Sequence, residues 1–232
     1  MIREIVLDTE TTGFNPSEGD RMVEIGCIEL INHMPTGKHL QLYINPERDI
    51  PDEVIAVHGI TNEFVADKPT FAECYTDFID FIGKDSKLVI HNAEFDMKFL
   101  NYQLGKVGHP AISWSRVIDT LGMARKKFPG SPANLDALCR RFDIDNTERT
   151  YHGALLDSEL LAEVYLELIG GRQHGLGLSS QQKKADAAAS RNAKSNRKFR
   201  EPREFQTSDT EKAAHAALLE KLNDPIWNKK PA

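Results

Sequence analysis

REIVLDTETTG, residues 3–13, is an apolar run that ends on two carboxylates. Ile5, Val6 and Leu7 read as the middle of a buried strand. Asp8 and Glu10 then follow two residues apart, so both project from the same face, roughly 6–7 Å from each other by strand rise. Two carboxylates that close repel unless a cation lies between them. A solvated edge strand would tolerate the pair, but the apolar residues before it make this strand a core element.

Two further strands follow. MVEIGCIELI (22–31) and KHLQLYIN (38–45) alternate with a period of two, and NHMPTG (32–37) reads as the turn between them, giving an antiparallel three-strand meander. The period then changes. PDEVIAVHGI (51–60) and TNEFVAD (61–67) read as short helical turns. TFAECYTDFIDFIG (70–83) spaces Phe71, Tyr75, Phe78, Ile79 and Ile82 as one face of a helix closed by Gly83. KLVIHN (87–92) and RVIDT (116–120) read as strands, and residues 93–108, 134–142 and 152–171 as helices. Three strands followed by alternating helices and strands predict an α/β domain whose mixed sheet adds parallel strands to the meander.

Residues 172–208 break this pattern. They are rich in Ser, Gln, Lys and Arg and read as a flexible basic linker. Helical pattern returns after it, with Asp209 or Thr210 as the expected N-cap, so residues 209–232 form a separate C-terminal segment suited to docking on a partner. The organisation expected is a domain over 1–171, a linker and a terminal anchor.

Composition narrows the class. No apolar run is long enough to span a bilayer and the first residues show no export signal, which predicts a cytoplasmic protein. Cys27, Cys74 and Cys139 form no CxxC pair and are expected to be buried free thiols. The formal charge of −6 divides into −12 over residues 1–171 and +6 over residues 172–232. An acidic body repels polyanions, so if it handles nucleic acid it needs cations in between.

A site for hard cations takes more oxygen ligands than two. LVIHNAEFD (88–96) ends a strand on His91 and Asn92 and sets Asp96 one turn into the next helix. HGALLDS (152–158) places His152 and Asp157 five residues apart at the start of a long helix. Taken singly, an acid near a helix N-terminus is an ordinary cap or dipole partner.

In this order, DTETTG, HNAEFD and HGALLD resemble the three motifs of the DEDDh family of 3′ to 5′ exonucleases, with no departure at any of the five signature positions. The resemblance spans residues 1–170. HGI (58–60), DKPTFAE (67–73), ARKKFPG (124–130), LDALCRRFDIDN (135–146) and RTYHGALLDSELLAEVYL (149–166) are similar to the branch formed by the epsilon proofreading subunits of bacterial DNA polymerase III. It implies a ribonuclease H-like fold and hydrolysis of the 3′-terminal phosphodiester of DNA with release of nucleoside 5′-monophosphates. It also implies two divalent cations, Mg²⁺ or Mn²⁺, held by Asp8, Glu10, Asp96 and Asp157, with His152 as general base. Substrate contacts carried over are Asp8, Glu10, Thr11, Gly13, Glu53, His58, Asn92, Phe95 and Asp157; Glu53 reads equally as a first-turn helix acid.

Beyond the domain, Gln173, Leu176 and Leu178 resemble a sliding-clamp motif, with Leu178 where Phe is common. Ile226 and Trp227 resemble the anchor to the polymerase catalytic (alpha) subunit. A small theta-like subunit is a further partner that the resemblance implies. Two other readings share these residues: an RNA-trimming relative with the same acids, and a polymerase-stabilising subunit with a vestigial site.

Overall fold

The computed structural model describes residues 1–147, 149, 151–171 and 207–221. Strands β1 (Arg3–Thr11), β2 (Met22–Ile31), β3 (Met34–Tyr43), β4 (Lys87–Ile90) and β5 (Val117–Asp119) form a five-stranded sheet in the order β3-β2-β1-β4-β5. β1–β2 and β2–β3 pair antiparallel, whereas β1–β4 and β4–β5 pair parallel. The predicted mixed sheet is therefore present, with its meander intact.

The α-helices within residues 1–171 are α1 (Asp52–His58), α2 (Asn62–Val65), α3 (Phe71–Ile82), α4 (Ala93–Lys106), α5 (Thr120–Lys127), α6 (Leu135–Phe142) and α7 (Ala154–Leu168). Local chemistry starts them: Thr70 and Glu73 form a capping box on α3, and the side chains of Thr61, Asp119 and Asn134 cap α2, α5 and α6. Gly83 closes α3 at φ 58°, a conformation that costs glycine little.

The sheet divides the core. On one face Ile5, Leu7, Ile25, Cys27, Leu88 and Ile90 pack with α3 and α4. On the other, Val6, Ile28, Leu30 and Val89 pack with α6 and α7. β2 is consequently buried along nearly its whole length instead of showing a wet face, and its acids Glu24 and Glu29 are buried with it. All three cysteines are buried free thiols, as expected.

Apart from element ends shifted by one to three residues, three features differ from the sequence reading. The β2–β3 turn consists of Asn32 and His33, both at positive φ, and Met34–Gly37 belong to β3. A two-residue turn of this kind matches the twist of the strands it joins, so the ladder runs up to it. Helix α5 was not expected: TLGMARKK has no sustained apolar stripe, and Asp119 starts the helix by accepting the N–H groups of Leu121 and Gly122. Helix α8 (Asp209–Leu219) is capped by Ser208 in a capping box with Glu211, one residue before Asp209 and two before Thr210, where the cap was expected. The proposed clamp residues Gln173, Leu176 and Leu178, and the anchor residues Ile226 and Trp227, lie outside the described residues. Among the described residues no helix is long and apolar enough to cross a membrane.

Candidate active site

Strand β1 carries the site through its alternation. Ile5, Leu7 and Thr9 face α3 and α4, whereas Val6, Asp8 and Glu10 face α7. Opposite them on β2, Gly26 pairs with Asp8 and Glu24 with Glu10. Gly26 is required by packing: a Cβ there would lie 2.2 Å from the Ala154 carbonyl carbon. Its absence lets the first turn of α7 rest against the sheet, and Asp157, one turn on, is delivered toward Asp8 and Glu10. Glu24 Oε2 accepts the Ala154 N–H at 3.0 Å and Ser158 Oγ donates to Gly26 O at 3.1 Å, fixing that approach.

Asp96 arrives from the opposite face on the first turn of α4. Thr9 Oγ1 donates to Asp96 Oδ1 at 2.7 Å and holds it at the strand end. The preceding loop is held by Asp119, whose Oδ1 accepts from the N–H groups of Asn92 and Ala93 at 3.1 and 3.4 Å. Asn92 sits at φ 64°, a left-handed conformation that asparagine adopts more readily than most residues. His152 enters from the loop before α7, and its backbone N–H donates to Val57 O of α1 at 3.0 Å.

These elements enclose a cleft of about 510 Å³ lined by Asp8, Glu10, Asp96, His152 and Asp157 together with Asn92 and Phe95. Four other candidates stand elsewhere. Thr11 is buried and its hydroxyl donates to Gly13 O at 2.6 Å. Gly13 permits the close approach of the Asp20 carboxylate, which a Cβ would meet at 2.4 Å. His58 is buried at the end of α1, its Nδ1 accepting the Ile60 N–H at 3.0 Å, and its Nε2 has no hydrogen-bond partner among the described residues. Glu53 is exposed in the first turn of α1, which matches the alternative reading as a helix-terminus acid.

The electrostatics are those of crowded acids. Loss of solvation and then the charges of Asp96, Glu10, Asp157 and Glu24 hold Asp8 well above the ordinary carboxylate range. Burial, with Asp157, Glu24 and Asp96 adding repulsion, pushes Glu10 up to about 8. Asp96 is pushed up to about 7 by burial, against the opposing hydrogen bond from Thr9. Glu24 is raised chiefly by burial.

Arg149 was not foreseen. Its Nε and Nη2 donate to the two oxygens of Asp157 at 2.5 and 2.7 Å, its Nη1 to Asp136 Oδ1 at 2.6 Å, and Nη2 also lies 2.9 Å from His152 Nδ1. Burial opposes its charge, but the bonds to Asp157 and the neighbouring acids raise the guanidinium above its ordinary value. The available signal was an arginine three residues before His152, in a loop where no periodicity assigns a partner.

Divalent cations fit this donor set. One ligand atom each from Glu10, His152 and Asp157 lie within 4.8 Å of one another, and the raised carboxylates mark negative charge that the protein leaves under-compensated.

The comparisons with known proteins agree with this chemistry. The model of the Exonuclease (RNase T) family matches residues 5–165. The DNA polymerase III epsilon subunit of Rickettsia felis is 57% identical over 175 residues, covering 74% of this chain and 76% of that protein. That of Escherichia coli is 43% identical over 230 residues, covering 95% and 93%. Among solved structures, exonuclease X in complex with 5′-overhanging duplex DNA aligns with a TM-score of 0.58 and 25% identity over 78% of this chain and 96% of its own. The nuclease domain of 3′hExo, a DEDDh family member bound to rAMP, aligns with a TM-score of 0.62 and 22% identity over 72% and 91%, a likeness of fold. This chain belongs to the exonuclease family, in the branch that holds the epsilon subunits of DNA polymerase III.

Proposed function

We propose that the chain is the proofreading 3′ to 5′ exodeoxyribonuclease of a bacterial replicative polymerase, acting in the cytoplasm. The observation that carries this reading is the convergence of Asp8, Glu10, Asp96 and Asp157, from a strand and two helices, with His152 in one cleft. Asp8, Glu10 and Asp157 would hold the cation that activates the attacking water, and Asp8 with Asp96 would hold the other. When bound, Mg²⁺ or Mn²⁺ supplies Lewis-acid charge for the phosphate oxygens and lowers the pKa of the attacking water.

His152, half-exposed at the cleft edge, accepts the proton of that water as a general base. The water oxygen bonds to phosphorus and the bond from phosphorus to the 3′ oxygen of the penultimate nucleotide breaks. That oxygen leaves as a hydroxyl after taking up a proton, so the products are a nucleoside 5′-monophosphate and a strand shorter by one. Asn92 and Phe95 line the same cleft and contact the terminal sugar and base. Thr11, Gly13, Glu53 and His58 shape the neighbouring wall for that nucleotide. Mismatched ends are selected because they unpair at less cost than matched ones.

Residues 1–171 form the nuclease domain, and the basic linker over 172–208 sets its reach. Gln173, Leu176 and Leu178 engage the sliding clamp, and Ile226 and Trp227 anchor the segment 209–232 to the polymerase catalytic subunit. A theta-like subunit binds the nuclease domain.

The test is degradation of a 5′-labelled primer on a template, with a matched or mismatched 3′ end, with and without Mg²⁺, beside an RNA oligomer of the same sequence. Metal-dependent shortening, faster at the mismatch and weak on RNA, is expected. Preference for RNA would replace the substrate assignment, and intact primer in the presence of metal would overturn the enzymatic one. Asp8→Ala with Glu10→Ala abolishes cleavage while leaving polymerase binding intact, and removal of residues 209–232 does the reverse.

A further inference from the structure

We propose that Arg149 is an internal counter-ion that holds the cation site closed when divalent metal is absent, and that metal binding displaces it. The inference rests on the metal assignment above and concerns one residue outside the family signature. A single guanidinium engages the groups the reaction needs free. Its Nε and Nη2 bond both oxygens of Asp157, at 2.5 and 2.7 Å, and Nη2 also points its hydrogen-bonding capacity at His152 Nδ1, 2.9 Å away. With that lone pair engaged, His152 Nδ1 accepts no proton from water. With both of its oxygens bonded to the fork, Asp157 offers a cation little of its carboxylate.

A second acid of the cleft holds the arginine. Asp136 Oδ1 accepts Arg149 Nη1 at 2.6 Å and Asn146 Nδ2 at 3.2 Å, so the arginine has a second carboxylate that is not in the metal-ligand set. The Arg149 side chain is 7% exposed, whereas that of Asp136, which lines the same cleft, is 41% exposed. Arg149 therefore has an anion to retain as it leaves Asp157, and its departure frees Asp157 and His152 together. Ligand and base then become available only when the metal has entered.

Without metal, the acids of the cleft repel each other, and one positive charge at Asp157 offsets part of that repulsion. A divalent cation brings more charge to the same carboxylate and competes with the guanidinium for it. Competition of this kind lowers apparent metal affinity, because part of the binding energy goes into displacing the resident group.

Two measurements on the full chain test this. Free Mn²⁺, followed by its electron paramagnetic resonance signal, gives the affinity of wild type, Arg149→Met and Arg149→Lys in the absence of DNA. We expect Mn²⁺ to bind Arg149→Met more tightly than wild type, on the order of tenfold, with Arg149→Lys between them, because an ammonium cannot bridge both Asp157 oxygens and His152. Arg149→Met binding Mn²⁺ no tighter than wild type would overturn the proposal, since a merely structural arginine would leave affinity unchanged or lower it. Absence of Mn²⁺ binding in wild type would sink the metal assignment and this proposal with it.

The second measurement needs no variant. The Arg149 Nε–H is expected to give a protected side-chain nitrogen resonance in EDTA that shifts and loses protection as Mg²⁺ saturates the protein. A resonance unchanged at saturation would show the guanidinium staying on Asp157, and the proposal would fall.

Discussion

Glu24 Oε2 accepts the backbone N–H of Ala154 at 3.0 Å, so a strand residue caps a helix 130 positions away in sequence. Gly153, the N-cap residue of α7, has no side chain to do this. The first turn of α7 also carries Asp157, so the cap sets the position of a proposed metal ligand. Glu24→Ala leaves that N–H without its acceptor and is expected to cost about 1–2 kcal/mol. Chemical unfolding should report the loss, with a parallel fall in cleavage. Glu24→Gln, which retains an acceptor oxygen, should recover most of both, and equal losses in the two variants would exclude capping as the cause.

Gly26→Ala tests the approach that this cap stabilises. Its added Cβ would lie 2.2 Å from a backbone carbonyl carbon, which no rotamer change relieves, so α7 must move off the sheet. The expected cost is about 3 kcal/mol, at the upper end for overpacking by one methyl. A crystal structure of a folded variant should show Asp157 displaced from Asp8 and Glu10, and an unaltered unfolding midpoint would refute the packing argument.

Thr9→Val removes one hydroxyl at nearly constant shape. Thr9 Oγ1 is the side-chain donor to Asp96 Oδ1, and the bond is buried. Its loss leaves a carboxylate oxygen short of a donor and frees the side chain to turn. The variant should fold, and kcat is expected to fall by about tenfold with KM little changed, since a misplaced group loses orientation more than ground-state binding. A loss confined to KM would assign Thr9 to substrate binding instead.

Such second contacts separate what could be read in the sequence from what could not. The period-two run Ile5–Thr11 and the helical spacing of α3 located β1 and one face of the core, and the joint order of three motifs located Asp8, Glu10, Asp96, His152 and Asp157. Arg149, Asp136 and Glu24 escaped because their roles come from partners on other elements: Arg149 lies in a loop, Asp136 in the first turn of α6, and Glu24 on a β2 expected to alternate wet and dry. Being second in the sheet order and covered on both faces, β2 buries Glu24, which only the topology reveals. Helix α5 escaped for a local reason: one aspartate cap substitutes for an apolar stripe.

The crowded acids set a pH dependence for the metal-free protein. Glu10 at about 8 and Asp96 at about 7 compare with ordinary values of 4.5 and 3.8, and Asp8 and Glu24 are raised as well. Between those ordinary values and about pH 8 the folded chain binds more protons than the unfolded one, so these groups make stability fall as pH rises through this window. In EDTA the melting temperature should therefore be lower at pH 8 than at pH 5.5, and Mg²⁺ should raise it more at the higher pH. A melting temperature that rises over the same interval in EDTA would contradict the raised carboxylates.

Asp8→Asn joins the electrostatic and functional sides. The amide keeps the shape of the carboxylate and removes one charge from a group that feels Asp96, Glu10, Asp157 and Glu24. With one fewer like charge in a poorly solvated cleft, the metal-free protein should melt higher than wild type at pH 8, and its stability should vary less with pH. Cleavage should nevertheless be lost, because an amide is a weak ligand for a hard cation and cannot bridge two of them. Calorimetry in EDTA, paired with primer degradation in Mg²⁺, separates the two effects. A variant that is inactive yet no more stable than wild type would mean that the Asp8 carboxylate costs the metal-free fold nothing, against the repulsion argued for it, whereas an active one would remove Asp8 from the metal set.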